Sequence, residues 1–168
     1  MSKWSRYLDR RCRQGSEWWD RRQREMDERC AEGWKADHTG GGNWAMAQHF
    51  THPTVGKMWV WITDDHTQIP VAGDTGLCLG LYAEDAEEHG LSIWDESILG
   101  IDKLSYQQAV ELGANLARAC QARADGSDVL AEARRFVDAH EHAYMVNDEQ
   151  LPFIREEIED PMPEEEER

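Results

Sequence analysis

Asp74-Thr75-Gly76 sets a carboxylate in a tight turn, and Asp102 closes the apolar run Ile98-Leu99-Gly100-Ile101. Two carboxylates brought together can share one proton and activate water. Cys30, His38, His49 and His52 carry the side chains that bind zinc, but only His49 and His52 are close in sequence, and structural zinc sites are usually built on pairs such as Cys-x-x-Cys. His140 and His142 fall on different faces of a helix and do not form a ligand pair. Gly40-Gly41-Gly42 could offer backbone N–H groups to an anion, but it lacks the Lys and Ser/Thr of a phosphate loop. The sequence assigns no catalytic residue, no metal ligand and no cofactor.

The tryptophans are better candidates. Trp59 and Trp61 share one face of an apolar segment, and with Trp94 they could line a ligand platform on which a flat group stacks. Burial in a core is the competing reading. Trp18 and Trp19 sit beside Arg21 and Arg22 in the one basic, aromatic stretch of the chain. Such a stretch suits nucleic acid or a partner protein, a homodimer contact, or packing against the protein's own body. Glu84, Asp85, Glu87 and Glu88 are a third candidate surface, able to meet a basic partner in the way that phosphates would.

Charge separates these surfaces. The 168 residues carry a net charge of −16, yet residues 1–35 hold ten bases against seven acids, while the remainder holds eight bases against 27 acids. A body this acidic repels nucleic acid and anionic lipid and attracts basic surfaces. Nothing in the first 30 residues has the form of a signal peptide, and no apolar run approaches the roughly 20 residues that span a bilayer. A cytoplasmic protein with free thiols at Cys12, Cys30, Cys78 and Cys120 is therefore expected. Leu, Ile, Val and Phe number only 28, so the eight tryptophans must supply much of the core.

The elements that would position these groups follow from periodicity. Residues 3–32 form helical stripes, Trp4-Leu8-Cys12 and Trp19-Met26-Cys30, either broken at Gly15-Ser16 or continuous, with Gly33 as the stop. Residues 36–56 are rich in turn formers and predict a Gly-rich connector, with a short helix over 43–50 as an option. Met58 to Ile62 is apolar on both faces, as in a strand covered on both sides. Leu77, Leu79 and Leu81 alternate with Cys78, Gly80 and Tyr82, and Gly80 leaves room for a cross-strand Trp. A third strand is expected near Leu91 to Trp94 and a fourth piece at Ile98 to Ile101. Ser105 and Gln108 make a capping box for a helix through Cys120, and a second helix carries Val129, Ala133, Phe136 and Val137 on one side. The expected architecture is α+β: a small, mostly antiparallel sheet of three or four strands packed by two helices. The division is a helical arm (1–35), a connector (36–56), an α+β core (57–146) and a disordered acidic tail (147–168).

Residues 57–125, with the strands, the Leu104-Ser105-Tyr106-Gln107-Gln108-Ala109 segment and the Ala-rich helix, resemble a group of small actinobacterial and actinophage proteins. That resemblance implies the α+β arrangement and carries no activity or site residue with it. Asp74-Thr75-Gly76 and Ile98-Leu99-Gly100-Ile101-Asp102 resemble the paired motifs of retroviral-type aspartic proteases. However, the 23 residues between Gly76 and Gly100 are too few for the flap and strands of that fold. The expectation is a non-enzymatic acidic interaction or regulatory protein that binds a basic surface of another protein, extending to a phage-type inhibitor that mimics nucleic acid. The alternatives are a nucleic-acid or assembly protein using the Arg/Trp helix, and a small-ligand binder or enzyme with a Trp-lined pocket.

Overall fold

In the computed structural model, the structure describes residues 3–40, 42–64, 68–92, 96–123 and 126–146, and the side chains of all of these except 3–14, 40, 126 and 127. The elements run α1 (Lys3–Asp27), β1 (Lys35–Gly40), β2 (Asn43–His52), β3 (Gly56–Thr63), β4 (Leu77–Ala83), β5 (Ser97–Leu104), α2 (Tyr106–Gln121), α3 (Gly126–Ala139) and β6 (Ala143–Met145). The six strands form one sheet in chain order, and every neighbouring pair is antiparallel.

The fold is α+β as expected, but the sheet has six strands rather than three or four. The two extra strands on one side come from residues 36–56, where a connector was expected. Gly40 ends β1 and pairs with Asn43 at the start of β2, and Gly42, in the hairpin turn between them, has φ +87°. Turn residues that read as a linker are therefore the bend of a hairpin, and 43–50 is strand rather than helix. The small residues Ala45 and Ala47 in β2, both buried, weaken the alternation by which a strand is recognised. The other extra strand, β6, is only three residues long. Leu91 and Ser92 lie outside any strand, so the third strand expected there is absent from them, and residues 93–95 lie outside the described residues. The strand expected at 98–101 is β5.

Alternation sorts the side chains into two sheet faces. On one face Met46, Met58, Val60, Ile62, Leu77, Leu79, Leu81, Leu99 and Ile101 are buried almost completely. They share a core cluster with Ala109, Leu116, Ala117 and Cys120 of α2 and Val129 and Ala133 of α3. The Ser105–Gln108 capping box is formed in both directions and starts α2 where the sequence places it. Both α2 and α3 therefore lie on the aliphatic face.

The N-terminal segment is a single helix through Gly15, and it ends at Asp27, short of the expected Gly33. Its C-terminal end is fastened to the sheet. Gln23 donates to the Ala36 carbonyl at 2.5 Å, and Asp27 accepts the Ala36 N–H at 2.8 Å. These bonds satisfy backbone groups of β1 at the sheet's edge, where open hydrogen-bonding positions would otherwise invite another strand. Met26 is fully buried beside Ala36, Trp44 and Ile69. The acidic 147–168 segment lies outside the described residues. No helix among the described residues is long and apolar enough to cross a membrane.

Candidate binding face

The opposite sheet face is aromatic. Its central row runs Ala47, Trp61, Gly80, Gly100, Tyr144 across β2 to β6. The next row contains His49, Trp59 and Tyr82. The rings meet across and along strands: Trp59 stacks on Tyr82 at 5.8 Å and 3°, Trp61 tilts against Tyr82 at 4.7 Å, His49 stacks on Trp59 at 6.1 Å, and Trp59 and Trp61, both on β3, are 5.8 Å apart. These are favourable ring separations, each contributing about 0.5–1.5 kcal/mol beyond burial. The described helices all pack on the other face. The strand Met58–Ile62 is thus helix-covered on its Met/Val/Ile side only, which corrects the expectation of cover on both.

One carboxylate ties this face together. Asp37 Oδ2 accepts from Trp61 Nε1 at 2.8 Å and from His49 Nε2 at 2.7 Å. The register makes this possible: Asp37 pairs with Ala45, which has no side chain long enough to obstruct a reach from β1 to β3.

The two glycines of the central row make room for two tyrosine rings. A Cβ on Gly80 would lie 2.6 Å from the Tyr82 ring, and one on Gly100 would lie 2.5 Å from the Tyr144 ring. Both tyrosines therefore lie across positions that only glycine leaves vacant. As the sequence suggested, a Trp pairs with Gly80, but the ring resting on that glycine belongs to Tyr82. The remaining cleft has a volume of about 80 Å³ and is bounded by Trp61, Tyr82, Tyr144 and Asp102. A wider depression of about 510 Å³ adjoins it, lined by Asp102, Lys103, His142, Ala143 and Tyr144.

Asp102 lies on the aromatic face because it follows Gly100 by two residues on β5, and β5 bulges directly after it. Leu77 pairs with Leu104 and Leu79 with Ile101, so Asp102 and Lys103 together oppose Cys78. Lys103 takes φ +59°, and His142 in the turn before β6 takes φ +67°. Bulges re-aim side chains, and left-handed non-glycine residues gather at functional sites. The Asp102 N–H donates to the His142 carbonyl at 3.1 Å, while its half-buried carboxylate has no partner among the described residues.

The other candidates are dispersed. Glu84, Asp85, Glu87 and Glu88 are exposed in the turn after β4, and Glu84 pairs with Lys57 at 3.1 Å at one end of the aromatic face. Trp18 and Trp19 are about half exposed, Arg21 is exposed and Arg22 bridges to Glu25 within its own helix. Trp94 lies outside the described residues. Asp74 accepts the Val71 N–H at 2.8 Å, which makes its Asp-Thr-Gly sequence a local turn. His38 lies between the rings of Trp19 and Trp44, His49 is held by Asp37, and His52 accepts the Thr54 and Val55 N–H groups. Among the described residues no three His, Cys, Asp or Glu side chains gather closely enough to hold a metal ion.

Sequence reasoning singled out Trp59 and Trp61 for this face but not Tyr82, Tyr144 or Asp37, and it weighed Asp102 and His49 for other chemistry. Gly80 facing a Trp was the available signal. Tyr144, on a strand of three residues, had none. No protein-family model, no curated protein and no solved structure matches the chain.

Proposed function

We propose that the protein is a non-enzymatic binding protein that docks a basic segment of a partner protein on the aromatic face of its sheet. The observation that carries this reading is the continuous ring array Trp59, Trp61, Tyr82 on the face that carries no described helix, with Trp59 buried beneath half-buried Trp61 and Tyr82. Cations are attracted to the faces of such rings, Trp most strongly. The net charge of −16 supports a cationic partner, and Glu84 and Asp102 place carboxylates at the ends of the array. The acidic turn at 84–88 then belongs to the rim and raises the encounter rate with a basic partner.

The test is a titration of the full chain with a short basic peptide and an acidic one of equal length, followed by tryptophan fluorescence. The basic peptide binds, more weakly as salt is raised, and Trp61→Ala weakens it about tenfold, within the range of a desolvated cation–π contact. Equal response to both peptides, or unchanged affinity in Trp61→Ala, removes the proposal.

A second reading is favoured by Trp18 and Trp19, which are 49% and 47% exposed on a helix carrying most of the chain's N-terminal bases. It makes α1 an assembly surface. Sedimentation of Trp18→Ala/Trp19→Ala beside the unaltered chain tests it: a loss of self-association supports this reading, and identical behaviour removes it.

A further inference from the structure

We infer that the cleft at Asp102 is an arginine subsite: it takes one guanidinium group of the basic segment, between the rings of Trp61, Tyr82 and Tyr144, with Asp102 as its counter-ion. This inference rests on the aromatic face being the docking surface and names what is read there. The size of the cleft points away from a metabolite, because ligand pockets usually run to about 300–1,000 Å³ and this cleft holds about 80 Å³. A side-chain terminus is of the right scale, and the adjoining depression of about 510 Å³ gives room for the chain that carries it.

Shape favours arginine over lysine. The walls are flat rings, with Tyr82 lying against Gly80 and Tyr144 against Gly100 because neither glycine has a Cβ. A guanidinium is planar, stacks on aromatic rings and offers paired N–H donors to a carboxylate, whereas an ammonium is a compact, strongly hydrated charge that would leave the slot partly empty. The Asp102 carboxylate is half-buried and without a partner among the described residues, and its position two residues after Gly100 puts it on the face of the rings. A half-buried carboxylate in an aromatic setting is better solvated by a bidentate cation than left alone.

The experiment uses the full chain and three peptides identical except at one position, which is Arg, Lys or the uncharged isostere citrulline. The Arg peptide is expected to bind about tenfold or more tightly than the Lys peptide, and the citrulline peptide more weakly than either. Asp102→Asn should abolish the Arg-over-Lys preference while leaving weaker binding to the aromatic face, and Asp102→Ala should do the same if Asn itself disturbs the bulge. Equal affinity for Arg and Lys, or a preference that persists in both Asp102 variants, overturns the subsite. If Trp61→Ala still weakens both peptides in that case, the docking face stands without it. If no peptide binds at all, both readings fall together.

Discussion

The indole N–H of Trp61 on β3 reaches across β2 to donate to Asp37 Oδ2 on β1, at 2.8 Å. The same oxygen accepts from His49 Nε2. A single carboxylate on an edge strand therefore sets the tilt of a ring two strands away. Replacing Asp37 by Ala strands a half-buried indole N–H, which costs about 1–3 kcal/mol. Urea unfolding should show that loss, and near-ultraviolet circular dichroism should show a changed tryptophan band. An Asp37→Ala protein identical to the parent in both measurements would refute this role. Asp37→Asn keeps one acceptor oxygen and should lie between the two.

Gly100→Ala introduces a methyl group where the Tyr144 ring now lies. Tyr144 belongs to a three-residue edge strand, which can yield to the added methyl more readily than a long central strand. The stability loss should stay near the lower end of overpacking penalties, about 1 kcal/mol, while affinity for an arginine-containing peptide falls by a larger factor. Unchanged affinity would show that Tyr144 does not shape the cleft.

Burial pushes the thiol of Cys120 up to about 12, with Glu132 adding to the shift and Arg123 opposing it, and burial with Asp27 and Asp37 pushes Cys30 up to about 11. Burial raises Tyr106 as well, with Cys30 and Asp74 adding to it. The folded chain holds these protons more tightly than the unfolded chain does. Their contribution to stability is therefore complete below the ordinary thiol value of 9.0 and is lost as pH rises towards 11 and 12. The denaturation midpoint should fall over that interval, less steeply in Cys120→Ala. At pH 8 both thiols should resist a thiolate-specific reagent until the protein is unfolded; rapid labelling of Cys120 in the native protein would contradict this.

Glu132, nearly buried on α3, accepts from Arg123, which follows α2, and from Arg135 one helical turn on at 3.1 Å. Removing the carboxylate leaves Arg123 partly buried and unpaired. Arg123 is about a third exposed, so Glu132→Ala is expected to cost about 1.5–3 kcal/mol, as for the loss of a hydrogen bond to a charged group. Arg135→Ala, removing a largely exposed partner, should cost about 0–1 kcal/mol. Thermal or urea denaturation of the two variants decides between them, and equal losses would mean that burial of the pair is not what matters.

What was legible in the chain was local. The Leu77-Leu79-Leu81 alternation, the apolar Met58–Ile62 run and the Ser105/Gln108 box each state their own element, because strand period and helix capping act over a few residues. The acidity of the body and the basic, tryptophan-rich character of residues 1–35 were also plain in the composition. What tertiary structure decided was pairing. Residues 36–56 read as a connector because their glycines and small alanines carry little pattern, and only hydrogen bonding to β3 makes β2 a strand. Which face of β3 meets the helices depends on where α2 lands. The candidate site depends on register: Trp61, Gly80, Gly100 and Tyr144 fall in one row although 83 residues separate the first from the last. Asp102 lies on the face of that row because it follows Gly100 by two residues, whereas the extra residue in β5 returns Leu104 to the core. The physical reason is that side-chain type is a property of a residue, whereas a shared face is a property of strands paired at a particular register.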